Sequence, residues 1–252
     1  MDDPQTSVPA ATLVIFRDRD GAVPDLLMVE RAKAMAFAGG ATVFPGGRVD
    51  PGDHALAAGF DGDPDDIAAR IAAIRETIEE AGVPVGLTPM PDAVALAGLR
   101  AALHDGVALG AALHAGGFTI DPAALVPFAR WVPAHRARRV FDTRFYLAAL
   151  PAGAPEPVVD ATENTCVFWA SARGVLEEAA AGRQHVIFPT RRNLERLAQY
   201  ADFAQARADA LAYPIRTVSP WTEDRAGVAH LCIPDDLGYP VTAEPVANAK
   251  RG

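Results

Sequence analysis

The sequence reads Phe44-Pro45-Gly46-Gly47-Arg48-Val49-Asp50 and, after a gap, Arg75-Glu76-Thr77-Ile78-Glu79-Glu80-Ala81-Gly82-Val83. Isoleucines recur at helical spacing through the second stretch and the residues before it. The spacing predicts a helix that starts at Asp65 or Asp66, as an acidic N-cap, and stops at Gly82, a typical C-terminal cap. This helix follows a glycine-rich turn, and the pair of features decides the fold. The isoleucines are Ile67, Ile71, Ile74 and Ile78.

Three carboxylates lie together on this helix. At 100° per residue, Glu76, Glu79 and Glu80 fall within an arc of about 100°, while the isoleucines point elsewhere. Like charges at this spacing cost on the order of 0.2 to 0.5 kcal/mol per pair unless a counter-charge is present. A solvated acidic face is one interpretation of the trio by itself. A site for Mg²⁺ or Mn²⁺, which prefer hard oxygen ligands, is the other, and the glycine loop favours it.

The combination resembles the Nudix box of the Nudix hydrolases, in which a glycine and an acid precede Arg-Glu-apolar-x-Glu-Glu-x-Gly-apolar. Gly47 is followed, after five residues, by Asp53 where the family has glutamate. Thr77 stands where an apolar residue is expected. The spacer from Asp53 to Arg75 is 21 residues instead of seven, so about 14 extra residues interrupt the box. Loops accept such insertions at small entropic cost.

The resemblance implies roles for individual residues. Glu76, Glu79 and Glu80 would ligate Mg²⁺ or Mn²⁺, and Arg75 would hold one of these carboxylates by a salt bridge. The general base is left open between a glutamate of the box and one in a later loop, where Glu163 has about the right position. A surface-loop carboxylate is the alternative interpretation of Glu163. The glycines, Gly46 and Gly47, would let the backbone pass close to the helix and the substrate.

The segment before the glycine loop points to a substrate. Arg31, Ala32, Gly40 and Phe44 match an upstream motif of the coenzyme A diphosphatases in the family, whereas Val29 and Ala36 do not. The resemblance therefore implies hydrolysis of coenzyme A or acyl-coenzyme A to 3′,5′-ADP and 4′-phosphopantetheine, with Arg31 at the substrate. A basic cluster suits the 3′-phosphate of coenzyme A, or is an ordinary solvated loop. Its members are His135, Arg136, Arg138 and Arg139.

Two other functions stay open. One is hydrolysis of ADP-ribose, a dinucleotide or a nucleoside triphosphate. The other is a Nudix-fold sensor that binds a nucleotide without cutting it, although the complete carboxylate trio argues against this.

The fold class expected from the resemblance is α/β (α+β): the Nudix fold, a mixed β-sheet sandwiched between helices. We predict one domain over 1–252, a helical insertion over about 85–128 and a C-terminal arm over about 213–252. The loop that contains the glycines is predicted to continue through Asp53. Strands are predicted at Thr12–Phe16, Leu26–Val29, a stretch ending at Phe44, Phe141–Leu150 and Thr165–Ala170, and one helix at Arg191–Leu211.

Composition limits the partners. The chain has 23 basic and 32 acidic residues and a net charge of −9, so we expect it to bind neither nucleic acid nor a membrane surface. Two cysteines without ligand spacing suggest neither disulfides nor a zinc site, and the N-terminus lacks a signal pattern. We expect a cytoplasmic enzyme acting on a small nucleotide diphosphate, and the family resemblance implies a homodimer.

Overall fold

A computed structural model of the chain describes residues 7–35, 38–133, 140–160 and 162–249. Its strands are β1 (Val8–Arg19), β2 (Ala22–Arg31), β3 (Thr42–Val43), β4 (Gly46–Arg48), β5 (Leu87–Thr88), β6 (Thr119–Ile120), β7 (Val126–Trp131), β8 (Phe141–Ala149), β9 (Asn164–Ser171), β10 (Thr217–Val218), β11 (Trp221–Arg225), β12 (Val228–Cys232) and β13 (Ala243–Pro245). Its helices are α1 (Pro51–Ala57), α2 (Pro64–Ala81), α3 (Ala93–His104), α4 (Leu109–Gly116), α5 (Ala172–Ala180), α6 (Phe188–Leu197), α7 (Phe203–Ala212) and α8 (Val246–Ala249).

A mixed sheet forms the centre of the molecule. Within the described residues it has eight strands in the order β10-β7-β8-β1-β2-β3, with β4 paired to β1 and β9 paired to β2. β1 runs parallel to β8, and β7 runs parallel to β10. The pairs β1–β2, β1–β4 and β7–β8 are antiparallel. Among the helices that the structure describes, none combines the length and the hydropathy of a membrane span.

Each face of the sheet carries its own hydrophobic core. Side chains of β1 alternate between the faces, as expected for a strand buried on both sides. Leu13 and Ile15 pack with the isoleucines of α2 and with leucines of α3 and α4. Val14 and Phe16 pack on the opposite face, against α6 and α7. The predicted fold class, a mixed sheet between helices, is confirmed.

The helix that carries the three carboxylates is α2, and both of its ends follow the sequence. Asp63 accepts a hydrogen bond from Asp65 N at 3.1 Å and is the N-cap, two or three residues before the predicted one at Asp65 or Asp66. Gly82 has φ +65° and donates to Ile78 O, which confirms the predicted cap. The spacer between Asp53 and Arg75 is thus divided among the end of α1, a connection over 58–63 and the first turns of α2.

Three local predictions were wrong. Asp50 to Asp53 is not loop, because Asp50 caps α1 and the proline that follows it fits the first turn of a helix. The glycines of the turn pair with β1 as β4, since Gly46 lies opposite Thr12 and a side chain there would collide with Ala11 O. The single helix predicted over Arg191–Leu211 is two helices, α6 and α7, because Asp202 caps a new helix by accepting from Gln205 N.

The predicted insertion and arm have more varied structure than expected. Helices α3 and α4 occupy the middle of 85–128, but the stretch also contains β5 and β6, and it ends in β7 of the main sheet. The arm forms a three-stranded sheet, β11-β12-β13. Tyr239, between β12 and β13, is 5% exposed; it accepts from Trp131 Nε1 and donates to Asn193 Oδ1, both at 3.0 Å. The arm is therefore anchored in the core beneath α6.

Candidate active site

One cavity of about 490 Å³ brings most of the predicted site residues together. Its walls are the end of α2, the glycine turn, the start of β8 and the residues before β9. Arg136, Arg138 and Arg139, together with His135, lie outside the described residues. The predicted site residues that line the cavity are Arg31, Gly46, Gly47, Arg75, Glu76, Glu79, Glu80 and Glu163.

Glu80 is the most deeply placed carboxylate of the three. Its residue is 4% exposed, and its Oε2 accepts a hydrogen bond from Gly46 N at 2.9 Å. The other oxygen, Oε1, is buried without a hydrogen-bond partner among the described residues. Arg31 Nη1 lies 3.8 Å from Oε1, close enough for an ion pair but not for a hydrogen bond. The glycine turn thus fixes one oxygen and leaves the other facing a positive charge.

Arg75 holds the remaining two carboxylates. Its Nη1 donates to Glu76 Oε1 at 2.9 Å and lies 3.4 Å from both oxygens of Glu79. Its Nη2 also donates to Arg48 O at 2.9 Å, which ties α2 to the glycine turn. The salt bridge predicted for Arg75 is therefore present, and it is shared between two glutamates.

Asp53 anchors Arg75 from the other side and was not chosen as a site residue from the sequence. Its carboxylate is 1% exposed and accepts from Arg75 Nε at 3.1 Å and Arg75 Nη2 at 3.0 Å. Because Asp53 sits in the first turn of α1, its Oδ2 also accepts from Asp50 N at 2.8 Å. Its position as the first acidic residue of the box was the sequence signal for this role. Helix α1 brings the aspartate, which is one methylene shorter than the glutamate of the family, within reach of Arg75.

Gly47 is glycine because Glu76 fills the space a side chain would need. A Cβ on Gly47 would lie 2.3 Å from Glu76 Cδ, far inside van der Waals contact. The close approach of turn and helix that the glycines were predicted to allow is therefore present.

Burial makes the three carboxylates poor anions in the metal-free protein. Burial raises the pKa of Glu76 to about 8, even though Arg75 lowers it. Burial likewise raises the pKa of Glu80 to about 7, against hydrogen bonds that include the one from Gly46 N. The pKa of Glu79 is raised for the same reason, opposed by Arg75. Such a cluster favours a bound cation, which replaces protons as the counter-charge.

The three glutamate side chains suit Mg²⁺ or Mn²⁺ by their chemistry, although their oxygens do not converge on one point. Among the residues that the structure describes, no three acidic, histidine or cysteine groups converge as a metal site. The reason is visible: Glu76 and Glu79 turn toward Arg75, and Glu80 turns toward Gly46 N. Carboxylate oxygens are the ligands these ions prefer, and Glu80 Oε1 accepts no hydrogen bond from the described residues that an ion would have to replace. To ligate one ion together, the three side chains would have to turn away from these partners.

Glu163 faces the cavity from the segment before β9. Its side chain is 57% exposed, and its Oε2 lies 4.0 Å from Arg31 Nη2. Arg31 therefore stands between Glu163 and Glu80. Asp160 holds this segment in a turn by accepting from Glu163 N at 2.8 Å and Asn164 N at 3.1 Å. Although burial opposes it, these bonds and those from Thr162 lower the pKa of Asp160.

Several residues that line the cavity were not chosen as site residues from the sequence, among them Asp160 and His104. Asp160 lines the cavity beside Glu163, and the Asp-x-Thr pattern of a turn was the available signal. His104 reaches the cavity from the end of α3 and lies beside Glu79, with Nε2 3.2 Å from Glu79 O. No motif marks His104, because its place depends on how α3 packs.

Comparison with solved structures places the chain in a family, whereas no protein-family model matches it. A Nudix hydrolase from Alicyclobacillus acidocaldarius is similar at 31% sequence identity, covering 82% of this chain and 97% of that protein, with a TM-score of 0.71.

Two more distant similarities carry no further argument. The NUDIX domain of Shewanella oneidensis NrtR, complexed with ADP ribose, is 15% identical over 79% of this chain and 92% of its own, with a TM-score of 0.44. A C. elegans Ap4A hydrolase in a binary complex is 18% identical over 80% of this chain and 93% of its own, with a TM-score of 0.37.

The similarity to the Alicyclobacillus acidocaldarius protein, together with the box and the fold, shows that the chain belongs to the Nudix hydrolase family and is an enzyme.

Proposed function

We propose that the chain hydrolyses the diphosphate bond of coenzyme A or acyl-coenzyme A with Mg²⁺ or Mn²⁺. Water would attack one phosphorus, the bridging P–O bond would break, and the products would be 3′,5′-ADP and 4′-phosphopantetheine or its acyl form. The proposal rests on one observation: the carboxylate trio shares its cavity with Arg31 and with an apolar wall.

The apolar wall suits the part of coenzyme A beyond the phosphates. The cavity is also lined by Met35, Val43, Phe44 and Phe145. Its volume of about 490 Å³ lies in the usual range for small-molecule sites, about 300 to 1,000 Å³. Such a wall offers no hydrogen bonds to a triphosphate, whereas a pantetheine arm would bury methylene groups against it.

The basic segment 135–139 supports a substrate with a third phosphate. Phe141, which lines the cavity, follows Arg139 by only two residues. Arginine binds phosphate oxygens through two parallel hydrogen bonds, and coenzyme A carries a 3′-phosphate that ADP-ribose lacks.

The residues of this site have distinct tasks in the proposed reaction. Glu76, Glu79 and Glu80 would hold the cation, and Arg75 would balance the charge of the first two. When bound, the cation would neutralise the diphosphate oxygens and lower the pKa of a bound water. Glu163 would accept the proton of the attacking water, and Arg31 would contact the diphosphate.

The test is a product panel. The purified protein is incubated with Mg²⁺ and, separately, coenzyme A, acyl-coenzyme A, dephospho-coenzyme A, ADP-ribose, a dinucleotide and a nucleoside triphosphate. Release of 3′,5′-ADP from coenzyme A, faster than AMP from dephospho-coenzyme A, is expected. Turnover confined to the other nucleotides would refute the substrate, and binding without any turnover would indicate a sensor.

A matched pair of variants tests the metal role. Glu79→Gln should abolish turnover and weaken cation binding while the protein stays folded. Glu178→Gln, the same change on an exposed carboxylate paired with Arg183, is the control and should behave as wild type. Undiminished hydrolysis by Glu79→Gln would refute its assignment as a ligand.

Other features belong to the same proposal. We propose one domain over 1–252, a cytoplasmic location and a homodimer. Size-exclusion chromatography with light scattering would check the homodimer.

A further inference from the structure

Helix α3 crosses the end of α2, where the metal-binding glutamates are proposed. Arg100, in the middle of α3, donates from Nε to Glu79 O at 2.8 Å and from Nη2 to Glu80 O at 3.1 Å. The last four carbonyl groups of a helix have no partner within it, and these two belong to that set. A side chain of the insertion thus satisfies the backbone of two proposed ligands at once.

His104 adds a third contact to the same turn. It lies four residues after Arg100, so the two side chains project from one face of α3. His104 Nε2 is 3.2 Å from Glu79 O. The adjacent face of α3 is held in the core by Leu96, Leu99 and Leu103, each 5% exposed. Helix α3 is therefore anchored in the core beside the turn that it contacts.

We infer that Arg100 is a positioning residue for the metal-binding turn, an inference that rests on the proposed ligand role of Glu79 and Glu80. Two hydrogen bonds to consecutive carbonyls fix both the rotation and the height of this turn, and the side chains of Glu79 and Glu80 move with their backbone. The guanidinium also lies at the negative end of the helix dipole. Gly82, which ends the helix, is packed beside it, with the site of its absent Cβ 3.6 Å from Arg100 Nη1.

The inference gives the helical insertion a role in the active centre. Within 85–128, a stretch that the structure describes completely, His104 is the one residue that lines the cavity. The insertion therefore acts on the site chiefly through the backbone of α2. Groups that orient metal ligands in this way contribute about 10- to 100-fold to metal affinity.

The experiment measures Mn²⁺ binding to the full-length protein without substrate, by electron paramagnetic resonance. Arg100→Met keeps the length of the side chain but removes the donors, and it should weaken Mn²⁺ binding about tenfold or more. Arg100→Lys, which can donate to these carbonyls from a single nitrogen, should lie between Arg100→Met and wild type. The melting temperature of each metal-free variant is recorded alongside.

Arg70→Met is the matched control. Arg70 also satisfies two backbone carbonyls, those of Pro122 and Leu125, but it does so nearer the start of α2. Its replacement should lower the melting temperature and leave Mn²⁺ affinity unchanged.

Each result decides something. Wild-type Mn²⁺ affinity in Arg100→Met would overturn the inference and leave the proposed reaction standing. If Arg100→Met does not fold, wild-type affinity in Arg100→Lys would overturn it instead. Failure of the wild-type protein to bind Mn²⁺ would overturn both the inference and the ligand assignment. Failure to cleave coenzyme A, with Mn²⁺ binding intact, would overturn only the proposed substrate.

Discussion

Replacing Asp53 by asparagine should destabilise the protein strongly, although the change is nearly isosteric. Asp53 is 1% exposed and accepts two hydrogen bonds from Arg75, whose side chain is 9% exposed. Its Oδ2 also accepts from Asp50 N. An asparagine has one acceptor oxygen, so its amide group would face either Arg75 Nε, or Arg75 Nη2 and Asp50 N, as a donor against donors.

The size of the effect follows from burial. Breaking a buried ion pair by removing one partner costs about 3 to 5 kcal/mol. The low end, about 3 kcal/mol, applies because Arg75 keeps Glu76 and Glu79 as partners. For a chain of this size, that corresponds to a fall of about 6 to 12 °C in melting temperature.

The assay is thermal unfolding followed by circular dichroism, with Glu178→Gln as the control. The Glu178 pair with Arg183 has the same chemistry, with bonds of 2.6 and 2.7 Å, but it is solvent-exposed. The control should have the same melting temperature as the wild-type protein. Equal melting temperatures for Asp53→Asn and Glu178→Gln would show that the buried position of Asp53 is not what makes it stabilising.

Three further predictions concern the turn, the carboxylates and the C-terminal segment. Gly47→Ala should weaken Mn²⁺ binding about tenfold or more, because its Cβ would displace the Glu76 carboxylate, and titration by calorimetry checks this. Burial raises the pKa values of Glu76 and Glu80 to about 8 and about 7, from 4.5 in the unfolded chain. The folded protein therefore has the full stability that these two protonated groups contribute only below pH 4.5. This contribution is lost as the pH rises through 7 to 8, so the melting temperature of the metal-free protein should fall between pH 5 and pH 8. Saturating Mg²⁺ should reverse that fall. A melting temperature that does not change with pH would contradict the prediction. Tyr239→Phe removes a buried acceptor and donor and should cost about 1 to 3 kcal/mol in urea unfolding, whereas a wild-type midpoint would mean the arm is not anchored there.

Much of the centre of the fold was predictable because its signals are local. The isoleucine spacing and Gly82 located α2 to within two or three residues of its observed N-cap, and the run of β-formers over Thr12–Phe16 marked the centre of β1. The predictions that failed also have local causes. Asp50-Pro51 is compatible with both a loop and a helix start, and only the packing of α1 against α2 selects the helix.

The sequence by itself determined which carboxylates share a helix face, where that helix ends and which glycines precede it. Helical periodicity and capping depend on neighbours a few residues away, so spacing is enough to reveal them. Only the tertiary structure decided that Asp53 anchors Arg75 across 22 residues, that Gly46 N holds Glu80 across 34, and that Arg100 supports the carbonyls of Glu79 and Glu80. These contacts join segments separated by loops, and their partners are selected by the packing of α1 and α3 around α2, which no residue spacing specifies.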